Sequence, residues 1–323
     1  MADGVTDTTA HDTDDYLDDA DERPGRISGW WLLPIGGLLW WAAGFLPWLL
    51  HEIYQAVGLE PASLEEIDGF TPLPLAAPDA VAVLVTTSVI GGALAGGSTR
   101  LARYRASGAV AAVVGTALTA AGVGAVAWWQ VLSAEGADDA KANALLAVTA
   151  GGTLLGLFLG LLAALAPAPL RALALALPVV LADGWVWGLV PGHSAVPQGT
   201  WWIFAIVLGI ALGLGVDRNP LQMLGWLPAA GLVWVLQAAG PVLDAVGGYF
   251  APGAAPLAVP AVLDAAWGPL VETTLSTDGH HLEGWVVGLL IGVAVAGLRL
   301  TWFSRDEDDD EAFDALRGEF AGP

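Results

Sequence analysis

Apolar and polar positions in this chain alternate on a long scale. Runs of about 20 apolar residues, rich in Leu, Ala, Val, Gly and Trp, are parted by short polar breaks, and no polar face remains to clothe a soluble globule. A helix rising about 1.5 Å per residue needs roughly 20 residues to cross a 30 Å hydrocarbon core. Eight segments meet or approach that length: 29–50, 80–97, 108–132, 144–166, 172–190, 201–216, 221–243 and 284–303. The sixth is the shortest and needs Thr200 or a thinned bilayer to span. The pattern predicts an all-α integral membrane protein, a bundle of about eight transmembrane helices.

A further apolar stretch, 245–271, holds Pro252, Pro256, Pro260 and Pro269 together with Asp264. Proline removes a backbone donor and clashes with the preceding turn, and broken backbone is not tolerated facing lipid. This stretch is expected to cap the outer face as a re-entrant or surface-lying segment rather than form a ninth span.

The basic residues orient the bundle. Lys and Arg flanking spans are retained in the cytoplasm. With eight spans and the N-terminus inside, all ten arginines fall on the cytoplasmic side: Arg23, Arg26, Arg100, Arg103, Arg105, Arg171, Arg218, Arg299, Arg305 and Arg317. The one lysine, Lys141, falls outside. Three regions follow: an acidic cytoplasmic tail (1–28), a transmembrane domain (29–303) with large outer loops at 51–79 and 244–283, and a second acidic cytoplasmic tail (304–323).

Composition agrees with this layout and removes several function classes. The chain is 55% hydrophobic and 14% charged, with a mean hydropathy of +0.63, whereas a soluble chain carries about a quarter charged residues. A net charge of −22 argues against nucleic acid as a partner. With no cysteine there is no disulfide, thiolate metal site or Cys nucleophile. Nine acids precede the first span, so the N-terminus is not expected to be a secretory signal. The single lysine against ten arginines fits a GC-rich prokaryotic genome.

Small residues recur every fourth position where helices must pack without a hydrophobic drive. Gly152, Gly156, Gly160 and Ala164 form one stripe, and Gly284, Gly288, Gly292 and Ala296 another; Gly92/Gly96 and Gly209/Gly213 are shorter versions. These are expected to pack within the chain. Most of the 16 tryptophans lie near predicted span ends, as in an aromatic belt, but Trp40, Trp41 and Trp234 fall deeper.

Candidate chemistry is sparse. Asp183 is the one ionisable residue well inside a span, followed by Gly184, Trp185 and Trp187 and preceded by Pro178. A Pro–Gly interruption exposes carbonyls, and a carboxylate beside them suits a cation or proton. His51, His193, His280 and His281 cluster at outer span ends with Glu52 and Glu283 nearby, a donor set that suits zinc or copper though without a diagnostic spacing. Arg100, Arg103 and Arg105 are placed to meet anionic lipid headgroups. Phe313, Leu316 and Phe320 repeat at helical spacing in the acidic tail and suit a docking helix for a protein partner.

No P-loop, no G-x-S-x-G elbow and no cytoplasmic aspartate pair for a metal–pyrophosphate is present, and no cofactor is expected. These features favour a permease-like secondary transporter with a buried carboxylate at Asp183. A non-catalytic membrane subunit or envelope scaffold, and an outer-face lipid enzyme using His and Glu, are the alternatives. No internal sequence repeat is apparent.

Because the chain lacks cysteine, single replacements report topology directly. In intact cells Ser63→Cys is expected to react with a membrane-impermeant maleimide, and Thr8→Cys only after lysis; the reverse pattern would invert the orientation.

Overall fold

The computed structural model describes residues 27–58, 70–75, 77, 79–133, 138–190, 201–217, 219–250, 254, 258–277, 280 and 282–320, with backbone alone at 55–56 and 302–320. Helices make up the architecture; the bridge recorded between extended segments is Ile27 with Ala102. It ties the start of the described chain to the turn after the second apolar segment.

The first segment opens with a 3-10 turn, Gly29–Trp31, and becomes α1 (Leu32–Leu38). It loosens into π-helix over Leu39–Ala43 and resumes as α2 (Leu46–Ala56), with its two parts bent by 54°. Pro47 accounts for the break. It has no N–H to give the carbonyl of Ala43, and its ring would collide with that carbonyl in a straight helix.

Three unbroken helices follow: α3 (Ala80–Gly97), α4 (Arg105–Ser133) and α5 (Asp139–Leu165). The Asp138 side chain caps α5, accepting from the backbone N–H groups of Ala140 and Lys141 at 3.1 Å each. The fifth apolar segment then repeats the proline device. α6 (Ala168–Ala174) ends four residues before Pro178, and α7 (Ala176–Trp187) leaves it at 43°.

The remaining elements are α8 (Trp201–Leu214), a 3-10 turn at Pro220–Gly225, α9 (Trp226–Leu236), α10 (Ala239–Gly247), α11 (Val259–Leu275) and α12 (Leu282–Phe320). Among the described residues five stretches are long and apolar enough to cross a membrane: Ala80–Leu101, Arg105–Ser133, Asp139–Leu165, Pro220–Gly247 and Leu282–Thr301. Counting each bent pair as one span makes seven. By helix length and composition the chain is a multi-pass membrane protein. α8, with 14 residues, falls short of a span by itself, in the segment predicted to be the shortest.

The proline-rich stretch forms α11, with Pro269 inside its 17 residues. Val259, Leu263 and Trp267, spaced by four, expose an apolar face, while the helix meets α9 and α10 on another side. It is not among the membrane-length helices.

The glycine stripes are used inside the chain. α3 lies on α5 and α8 on α12, the two most extensive helix contacts. A Cβ on Gly92 would stand 2.6 Å from the Thr153 carbonyl oxygen, and one on Gly96 the same distance from that of Leu157. In return, Gly156 and Gly160 leave no room for a Cβ against the carbonyls of Val89 and Ala93. In the second pair, a Cβ on Gly209 would lie 2.5 Å from the Ile291 side chain, and one on Gly288 would lie 3.0 Å from Leu208.

Gly151, on another face of α5, has nothing within 4 Å of where its Cβ would be. Gly156→Leu is therefore expected to lower stability by at least the about 1–3 kcal/mol typical of overpacking, because backbone and not a flexible side chain blocks the site. Gly151→Leu is expected to unfold like the wild type. Thermal unfolding in detergent checks both.

Candidate functional site

The two bent helix pairs meet. At the first bend, the chain passes so close to α3 that a Cβ on Gly91 would be 3.1 Å from the Gly44 Cα. Glycine at both positions permits this approach. From the second bent pair, Trp185 of α7 packs with Leu177 and Leu181 against Val89 and Ile90 of α3. Its indole Nε1 donates to the Gly44 carbonyl at 2.8 Å. Three residues on, a Cβ at Gly188 would lie 2.8 Å from the Pro47 ring. The end of α7 thus rests on the proline that breaks the first helix.

Asp183 and Trp187 lie four residues apart and share a face of α7. The Asp183 Oδ1 and Trp187 Nε1 atoms are shielded from solvent. α7 also packs against α8 and α9. Asp183 is half-buried, with one carboxyl oxygen shielded, on a helix that follows one proline break and ends against another, which makes it a candidate group for a cation or a proton.

The tryptophans divide by environment. Trp30, Trp31, Trp129 and Trp202 are exposed, as a lipid-facing belt requires. Trp40 is fully buried: its Nε1 donates to Thr153 Oγ1 at 2.8 Å, and that hydroxyl donates to the Thr149 carbonyl at 2.8 Å. Trp41 and Trp48 donate to the carbonyls of Pro72 and Thr71 at 3.3 and 3.0 Å, fixing a segment that Glu52 also holds through the Thr71 N–H and hydroxyl. The deep tryptophans are therefore hydrogen-bonded packing residues.

The histidines have separate partners. His51 sits 5.5 Å from the Trp48 ring. His280 is buried and stacks on Trp234 at 3.6 Å with planes 7° apart. Its Nδ1 lies 2.8 Å from the Ser276 carbonyl oxygen and its Nε2 3.1 Å from that of Trp234, which occupies both ring nitrogens. His193 and His281 lie outside the described residues. Among the described residues no group of three or more His, Asp or Glu could hold a metal ion.

At the opposite end of the bundle the three arginines have different partners, with Arg105 still within electrostatic range of Arg100. Arg103 places its guanidinium 5.8 Å from the Tyr104 ring centroid, and Arg105 begins α4. Arg100 donates through Nη2 to the Ala163 carbonyl near the end of α5. It lies within electrostatic range of Arg171, Arg299 and Asp217. Arg171 donates from Nη1 to both Asp217 oxygens at 2.8 Å and from Nε to the Ala166 carbonyl at 3.0 Å. Arg299 donates to Asp217 Oδ1 and, at 2.9 Å, to the Val216 carbonyl.

Helix C-termini leave carbonyls unpaired and carry partial negative charge, so these guanidiniums act as caps for α5 and for the end of the α8 segment. The sequence pattern alone missed Asp217 and its partners. The available signal was an acid beside Arg218, immediately after an apolar run.

Comparison with protein-family models, with curated proteins and with solved structures finds no match to this chain.

Trp185→Phe keeps the ring packing but removes the donor to Gly44. It is expected to cost about 1–3 kcal/mol, the usual penalty for a buried polar group left unmatched. Trp129→Phe, at an exposed position, is expected to be neutral, and thermal unfolding in detergent compares the two.

Proposed function

We propose that this chain is a permease-like secondary transporter of the cell membrane, with eight spans, both termini cytoplasmic and a cation- or proton-binding site at Asp183. The observation that carries the reading is the meeting of two proline-bent helices where Trp185 bonds to Gly44. Carriers commonly bind at discontinuous helices near the midplane, between structural repeats. This is an analogy of architecture.

A two-repeat plan accounts for the helix order. Taking α8 as the sixth span, the first and fifth spans are the bent ones. The second packs on the fourth, and the sixth on the eighth, each through glycine. Each half would then hold four spans and enter the membrane in the same direction. α11 is an addition to the second half before its last span. α8 covers about 21 Å at 1.5 Å per residue, which flanking residues and local thinning extend to a crossing.

Charge supports the orientation. Arg100, Arg171 and Arg299 gather at one end, while Lys141 at the other donates to the Ala254 carbonyl of the outer loop at 3.0 Å. In this reading Asp183 carries the coupling charge, Trp187 lies beside it, and Trp185 holds the two bends together.

One observation favours a second reading, a scaffold that docks partners through its acidic tail. α12 continues as helix to Phe320, through 39 residues in all.

Proteoliposomes with entrapped pyranine and a valinomycin-set potassium potential separate the readings. The transporter reading expects proton influx that Asp183→Asn abolishes and deletion of 304–323 leaves intact. Unchanged flux in the Asp183→Asn protein would remove Asp183 from the mechanism. No flux in the wild type, with a pulled-down partner lost on the deletion, would favour the scaffold.

A further inference from the structure

α11 stands between two membrane-length stretches without being one itself. Pro220–Gly247 ends before it and Leu282–Thr301 begins after it, and the links on either side, 248–258 and 276–281, are short. The helix is therefore held close to the membrane face that those two stretches share. Its far end is pinned there. Trp234 of α9 donates from Nε1 to the Thr274 carbonyl at 3.0 Å, and the His280 ring, just past the helix, stacks on the same indole.

The sides of α11 differ in chemistry. Val259, Leu263, Trp267 and Leu270 succeed one another at the spacing that forms one stripe of a helix, and the first three are exposed. Asp264 and Glu272 are exposed as well. At about 3.6 residues per turn neither acid falls on the stripe, and Glu272 lies opposite Leu263. No Lys or Arg occurs anywhere in 244–283, so anionic headgroups do not attract this region and apolar contact has to hold it.

Beside the stripe a groove of about 260 Å³ runs between α11 and the helices before it. Val235 of α9, Ala239 and Val242 of α10, and Leu263, Trp267 and Leu270 of α11 line it, and no charged residue does. Leu263 and Trp267 belong to groove and stripe alike, so the two form one continuous apolar surface. An apolar surface of this kind marks a site of contact with a membrane or a ligand. Tryptophan suits the headgroup boundary, where its ring is in hydrocarbon and its N–H meets a polar partner.

We infer that α11 lies along the membrane surface with Val259, Leu263 and Trp267 turned into the bilayer, and that the acyl chain of a bilayer lipid occupies the groove. Asp264 and Glu272 face water. The helix thus anchors the connection between the two stretches by apolar contact alone. This placement holds whichever face is cytoplasmic and whether or not Asp183 binds a cation.

The chain has no cysteine, so a bimane fluorophore can be placed at Leu263→Cys or at Asp264→Cys alone. Each labelled full-length protein is reconstituted in phosphatidylcholine, in phosphatidylcholine brominated near the top of its acyl chains, and in the unbrominated lipid with iodide on both sides of the membrane. Brominated lipid is expected to remove most of the emission at position 263 and little at 264, and iodide the reverse.

Equal quenching of both labels by iodide would place α11 in water and overturn the inference. Equal quenching of both by brominated lipid would do the same, since the helix would then be immersed on all sides. A label at 263 protected from both quenchers would also overturn it, because a second copy or another part of the chain would then cover the groove. Should the label at 263 prevent folding, Val259→Cys, at the exposed start of the same stripe, gives the same reading with the same outcomes.

Discussion

Close contact at glycine is the constraint on which this bundle depends, backbone against backbone where α3 meets α5 and backbone against side chain where α8 meets α12. Lipid solvates a leucine as well as a neighbouring helix does, so burial alone gives two spans little reason to associate. What remains is dispersion and close fit, and both improve when side chains are absent from the contact. α3 and α5 touch through Gly92, Gly96, Gly156 and Gly160, and α8 and α12 through Gly209, Gly213, Gly288 and Gly292. With those pairs in place, the bent helices, α4 and α9 have fixed surfaces to pack against. Trp40 reaches Thr153 because α1 crosses close to the first pair, and Trp226 packs beside Gly292 of the second.

Polar groups then choose among the arrangements that packing permits. Trp40, Trp41, Trp48 and Trp185 each donate to an acceptor, and three of those acceptors are carbonyls at a bend or in the segment 70–75. Threonines in α3 and α5 return their hydroxyl hydrogens to their own helices, as Thr87 does to Val83 and Thr149 to Leu145. Such bonds satisfy a polar side chain in hydrocarbon without requiring a second helix. Thr153 does both, since it also accepts from Trp40. The arginines around Asp217 work in the same sense, by giving α5 and the α8 segment the donors that their last turns lack.

Much of this was legible in the sequence wherever the controlling interaction is local. The segment 80–97 coincides with α3, and the glycine stripes named the faces that pack. The prolines of 245–271 argue in the sequence against a span there, and α11 is not among the membrane-length helices. The break at Pro47 was harder to see. A proline inside an apolar run is compatible with either a straight or a broken span, and the neighbouring backbone at Gly91 helps set the outcome.

Pairings between distant residues were not legible at all. Asp217 looks like an ordinary loop acid until Arg171 and Arg299, 46 and 82 residues away, are brought to it. His280 looked like a metal ligand beside His281 because sequence gives proximity without direction. In the fold its ring lies flat on Trp234 with both nitrogens against carbonyls. Asp183 stands out in the sequence as an acid inside an apolar run, but its position beside the meeting of two bends depends on Trp185 crossing to Gly44.

The glycine contacts also distribute stiffness. Where α3 meets α5 the glycines face backbone, so that contact has few rotamers to change and resists shear. Each bent helix, by contrast, has a turn whose hydrogen bonds are already missing, at Ala43 and at Ala174, and flexing there breaks little that is not broken already. The α3–α5 contact is thus the stiff part of the molecule and the two proline breaks its compliant parts, one of them on the path of the chain from α5 to α8.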